Sequence, residues 1–110
     1  MTDNERQQLK AKLIKGRFWG ADDLGDPTID KYAAITLRDR ANKKLVDGVY
    51  LTFTGPVGES PAGKVEVVGG EFTYLLANAD TYSEAICLAA LELPEFLKQH
   101  PEFAVDQERN

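Results

Sequence analysis

Two adjacent glycines, Gly69-Gly70, stand between two runs of alternating polar and apolar residues, and this pattern constrains the chain more than any other. Lys64 to Val68 and Glu71 to Leu76 both read with a period of two, as half-buried strands do. The two-residue turn that matches strand twist needs positive φ at its centre, which glycine reaches without a Cβ clash. The glycine pair therefore predicts an antiparallel hairpin over residues 64–76. A lone hairpin is marginal in water, so the rest of the chain must supply a cover for its apolar face.

The cover is signalled next. Thr81-Tyr82-Ser83-Glu84 has the T-x-x-E form of a capping box, and Asp80 adds negative charge at the helix start. Ala85, Ile86, Ala89, Ala90 and Leu93 then recur at helical spacing, with Leu88 and Leu91 widening the stripe. So many alanines on one face predict close packing against a sheet. Pro94 is expected to end this helix and to open a second short turn over residues 95–99, which Pro101 stops. At the other end of the chain a helix is predicted over Asp3–Lys15. Thr2 and Glu5 form its capping box, Leu9 and Leu13 its narrow stripe, and Gly16 its stop.

Between these ends, Lys31 to Leu37 fits a period of two better than a helical face. Ala33, Ile35 and Leu37 point one way and Tyr32, Ala34, Thr36 and Arg38 the other. It is predicted as a strand, with residues 39–44 as its polar hairpin connection. Leu45 to Thr54 is predicted as the next strand, with Val49, Leu51 and Phe53 on one face and Asp47-Gly48 marking a bent start. Three glycines and two prolines make residues 55–63 a loop. The expected fold is α+β in the order α-β-β-β-β-α, a four-stranded antiparallel sheet packed against two helices. A chain of 110 residues supports one such domain, over residues 1–103, with a frayed polar tail at 104–110.

The formal net charge is -5, but it is unevenly spread. Residues 1–17 carry five basic groups against two acidic ones, whereas residues 58–110 carry three basic groups against ten acidic ones. Such polarity steers a charged partner. Net acidity argues against a nucleic-acid binder, which needs a dominant basic patch.

Reactive groups are scarce. The single cysteine, Cys87, lies in the apolar stripe of the last helix and reads as an inert core thiol. The single histidine, His100, precedes Pro101 and reads as a surface or capping residue. Ser60 and Ser83 lack a nucleophile-elbow setting. Asp22, Asp23, Asp26 and Asp30 lack the spacing of a calcium loop and are explained by turn chemistry. No enzyme activity, cofactor or metal is therefore expected. No apolar run approaches the ~20 residues that cross a bilayer, and Met1 to Arg17 contains no signal-peptide core.

Several residues remain to be weighed as contact sites. Phe18 and Trp19 sit in a loop rich in glycine and aspartate, either tucked under the sheet or offered as an aromatic anchor. Arg38, Arg40, Lys43 and Lys44 would cluster at the first hairpin tip, as a solvated turn or as phosphate contacts with Tyr50 or Tyr32 as a stacking platform. Glu92, Glu95 and Glu102 give the last helical region an acidic surface able to occupy a basic groove.

The run Asp80-Thr81-Tyr82-Ser83-Glu84-Ala85-Ile86-Cys87-Leu88-Ala89-Ala90-Leu91, preceded by Phe72-Thr73-Tyr74, resembles the closing helix of small phage-encoded proteins of the phage ABA sandwich domain type. The resemblance covers about Val65 to Leu93 and not Met1 to Phe53. It implies a phage or prophage origin, an α-sheet-α sandwich and the cytoplasm of a bacterial host, and it transfers no catalytic residues. The expected function is a non-enzymatic accessory protein that binds a larger host or phage protein, one form being an anti-CRISPR-like inhibitor of a defence complex. The alternatives are a nucleic-acid-binding module using the basic N-terminal helix and hairpin tip, and a structural homo-oligomer such as a homodimer.

Overall fold

Three side-chain caps set where the helices begin. Thr2 Oγ1 accepts from the Glu5 amide at 3.2 Å and Glu5 Oε1 accepts from the Thr2 amide at 2.9 Å, completing the expected box. Asp30 Oδ1 accepts from the Tyr32 amide at 2.9 Å, and Thr81 Oγ1 accepts from the Glu84 amide at 3.2 Å. The computed structural model describes residues 2–54 and 63–105. In chain order it shows α1 (Asp3–Lys15), α2 (Lys31–Asn42), β1 (Val49–Thr54), β2 (Gly63–Gly69), β3 (Phe72–Ala79) and α3 (Tyr82–Gln99), followed by a 3-10 turn at Pro101–Phe103.

The class is α+β, but the order is α-α-β-β-β-α with a three-stranded sheet. The predicted strand at 31–37 is helical, and residues 39–44 are not a hairpin tip but the end of α2 and the turn after it. Two forces outweigh the period of two. Asp30 supplies the helix cap, and Ala33, Ala34, Leu37 and Ala41 bury one helical face. The exposed side chains of Ile29 and Tyr32 obscured that face in the sequence. A third helix thus replaces the first predicted strand, and the sheet is covered by α2 and α3 while α1 packs on α3.

The sheet runs β1-β2-β3, antiparallel throughout. Gly69 pairs with Phe72, so the hairpin turns on Gly70 and Glu71 rather than on Gly69-Gly70. Gly70 alone takes the left-handed φ, at +59°. The register shifts between Val65 and Glu66, so Leu76 is the extra residue of a bulge in β3. The loop expected over 55–63 lies outside the described residues except for Gly63, which opens β2.

α3 lies over β2 and β3, α2 lies beside it over β1, and α1 packs on α3 from the far side. The core between sheet and helices holds Leu51, Val65, Val67, Ala85, Ile86, Ala89, Leu93 and Phe96. No helix covers the opposite sheet face among the described residues, which leaves Tyr50 50 % exposed and Leu75 46 % exposed.

Pro94 does not end α3, which continues to Gln99. A proline inside a helix costs about 3 kcal/mol, whereas burying Leu93 and Phe96 on either side of it contributes roughly 1.5–3 kcal/mol each. The burial wins and carries the helix through. Beyond it, Ala104 bridges to Leu45, and the Val105 amide donates to the Lys44 carbonyl at 2.9 Å. The first two residues of the expected tail are thus hydrogen-bonded, and the rest lies outside the described residues.

Glu84 departs from the capping box. Its carboxylate is 1 % exposed. Oε1 accepts from the Thr81 hydroxyl at 2.9 Å, and Oε2 stands 3.4 Å from Arg6 Nε. The ion pair draws the carboxylate away from the cap backbone and fastens α1 to the start of α3.

Candidate functional site

The two outer strands of the sheet end differently. On β1, the Leu51 amide points away from β2 and donates to Asn42 Oδ1 at 2.9 Å, and the Val49 amide donates to the Val46 carbonyl at 3.1 Å. Asn42 of α2 and the turn at Val46 therefore cap that edge over Val49–Leu51. On β3, the alternation of the ladder turns the amides of Thr73 and Asn78 away from β2. No backbone hydrogen bond reaches that edge from another element among the described residues. Phe72–Ala79 is eight residues long and carries no charge.

Beside this open edge runs a groove of about 140 Å³ between β3 and α3. Its floor is Tyr74, Leu76 and Phe96, and its rim is Glu92, Glu95 and Gln99. The rim residues fall three and four apart in α3, so one helix face presents them together. Tyr74 and Phe96 pack with ring centroids 4.9 Å apart, which fixes the floor. Both glutamates are exposed, and Glu95 meets Lys98 only at 4.0 Å. Glu92 also lines a second, open groove between α1 and α3, with Leu9, Lys12, Leu88 and Leu91.

Glu92 and Glu95 are thus brought together. Glu102 lies on the 3-10 turn, 3.9 Å from His100 Nδ1, and does not line the groove. His100 belongs to an aromatic cluster, with its centroid 4.6 Å from that of Phe96. Tyr50 stands on the uncovered sheet face.

The remaining residues sit elsewhere. Trp19 is 3 % exposed, its Nε1 donates to the Gly25 carbonyl at 3.3 Å, and the Arg40 guanidinium lies 4.9 Å over its ring. Phe18 is half-buried beneath Lys44, whose Nζ is 4.9 Å from the ring centroid. Phe18 packs where a Cβ on Gly16 would stand, 2.5 Å away, which explains that glycine. Arg40 forms a bidentate pair with Asp23 at 2.7 and 2.8 Å. This pair and the Gly20 amide hold the Asp23 carboxyl down to about 2. Arg38 pairs with Asp39 at 3.3 Å and covers Phe53. The arginines of the predicted basic tip therefore lie on a helix, engaged with acids and rings of their own chain.

The groove-lining Tyr74, Leu76, Phe96 and Gln99 escaped the sequence reading. The available signal was the absence of any charge from Phe72 to Ala79, which is unusual for an outer strand. Among reactive groups, burial pushes the Cys87 thiol up to about 12, with the charges of Asp26 and Glu84 adding to it. Among the described residues, no three His, Cys, Asp or Glu side chains stand together to hold a metal ion. Among the described residues, no helix is long and apolar enough to cross a membrane. What the β3–α3 side presents is directional hydrogen bonding, an aromatic floor and negative charge, the means of binding an extended chain. No protein-family model, no curated protein and no solved structure matches this chain.

Proposed function

We propose that this protein is a non-enzymatic binding protein that docks on a larger protein through the side where β3 meets α3. The observation that carries this reading is the open, uncharged edge of β3 beside an acid-rimmed groove. The chain's charge polarity supports it, since an acidic half steers the molecule toward a basic surface. The resemblance of residues 80–91 to phage ABA sandwich proteins favours a phage or mobile-element accessory protein that works in the host cytoplasm. Its most specific form is an anti-CRISPR-like inhibitor, with Glu92 and Glu95 set into the basic groove of a defence complex.

Size-exclusion chromatography with purified CRISPR nuclease complexes tests this form. A stable complex is expected with one of them, and it is lost in an E92K/E95K double variant that keeps the parent melting temperature. Failure to co-elute with any such complex contradicts the inhibitor form. A complex indifferent to the double variant contradicts the assignment of the surface.

A further inference from the structure

We infer that the occupant of the β3–α3 groove is an extended segment with lysine or arginine at alternate positions, which adds to β3 as a fourth strand. The inference rests on the docking reading above and names the chemistry of the partner. A strand laid along β3 takes up the amides and carbonyls that the ladder turns outward, including those of Thr73 and Asn78. Its side chains then alternate between the two sheet faces. Every second one falls on the α3 side, beside Tyr74 and Phe96 and below Glu92 and Glu95. A basic side chain matches that path along its whole length. Its aliphatic stem and cationic head lie against aromatic rings, and the head reaches the carboxylates.

A second copy of the chain fits less well. Antiparallel pairing of β3 with β3 of another copy continues the sheet and sets both α3 helices on the same side. The Glu92 and Glu95 rims of the two copies then confront each other across the junction, four carboxylates with only the exposed Lys98, 4.0 Å from Glu95, in each copy to offset them. Outer strands without a cognate partner are normally guarded by lysine, proline or charge. The guards are missing from Phe72–Ala79, and the negative charge is placed beside the strand on α3. This arrangement repels a second copy and admits a basic chain.

The test uses the full chain, labelled with nitrogen-15, and an end-blocked peptide matching the eight residues of β3 in length and alternating arginine with valine. Amide spectra are recorded during titration at low salt, and hydrogen exchange is followed with and without peptide. The expected result is slowed exchange at Thr73 and Asn78, with shifts confined to β3 and residues 92–99. Affinity should drop about ten-fold or more in the E92K/E95K variant. A control peptide with methylated backbone nitrogens on its pairing edge should fail to bind. Absence of binding, shifts confined to other surfaces, equal affinity for a glutamate–valine peptide, or a dimer already protected at Thr73 without peptide would each overturn the strand-addition inference. Should the inference fail while a defence complex still perturbs β3 and α3, the docking reading survives with a different kind of occupant. Should neither peptide nor complex touch this side, both fall.

Discussion

β1 and β3 are both outer strands of one three-stranded sheet, and the chain treats them in opposite ways. β1 is capped over Val49–Leu51, with α2 lying over it, Asn42 accepting from the Leu51 amide and Val46 accepting from the Val49 amide. Among the described residues β3 is left open over eight uncharged residues, and the nearest helix offers it an acidic rim instead of a cap. The contrast separates two uses of the same physics. An unsatisfied strand edge is a liability where stability is at stake and a recognition surface where a partner supplies the missing bonds. The molecule closes the edge next to its core helices and leaves open the one next to its negative charge.

The largest effect should come from breaking the sealed side. Leu37 is buried in the core as the main anchor of α2. Leu37→Ala is expected to cost about 2–5 kcal/mol in denaturant unfolding, since the deletion leaves a cavity between α2 and α3. A loss near zero would mean that Leu37 does not anchor α2 on α3. The seal itself is tested by Asn42→Leu, which leaves the Leu51 amide without an acceptor and should cost about 1–3 kcal/mol. Asn42→Asp keeps an oxygen there and should recover much of that loss. Equal losses in the two variants would show that the bond is not the reason.

The open side should answer much more weakly. Leu75→Lys puts a charge on the exposed part of β3 and should change unfolding free energy by no more than about 0.5 kcal/mol. A loss comparable to that of Asn42→Leu would mean that this outer face of β3 is covered. The smallest effect concerns the Asp23–Arg40 clamp, which ties the loop after α1 to α2. The folded Asp23 carboxyl is held at about 2, below its ordinary 3.8. The stability contributed by this pair is therefore fully present above about pH 4 and lost as pH falls through about 2. The parent melting temperature should drop further over that interval than that of Asp23→Asn, and superimposable profiles would contradict the clamp.

These residues also show what could be read from the sequence. The boundaries of α1 were legible because Thr2, Glu5 and the last-turn lysines act locally. The β2–β3 hairpin was legible for the same reason, with the turn displaced by one residue. The segment at 31–42 was not, because the helical face is made of alanines, which carry little hydrophobic signal, while Ile29 and Tyr32 stay exposed. Trp19 was visible as an oddity, yet its role as a buried anchor depends on the Gly25 carbonyl and on Arg40, which the chain places there only once folded. The acidic half of the candidate site was marked by Glu92 and Glu95. Its other half, Tyr74 and Leu76, was hidden because nothing local tells an outer strand from a central one.

Hydrogen exchange of the free chain, read amide by amide, tests the difference between the two edges most directly. The Leu51 amide should exchange as slowly as the core of the sheet, and those of Thr73 and Asn78 at least about a hundred-fold faster. Equal protection of Thr73, Asn78 and Leu51 in the free monomer would contradict the open edge, and with it the docking surface built on it.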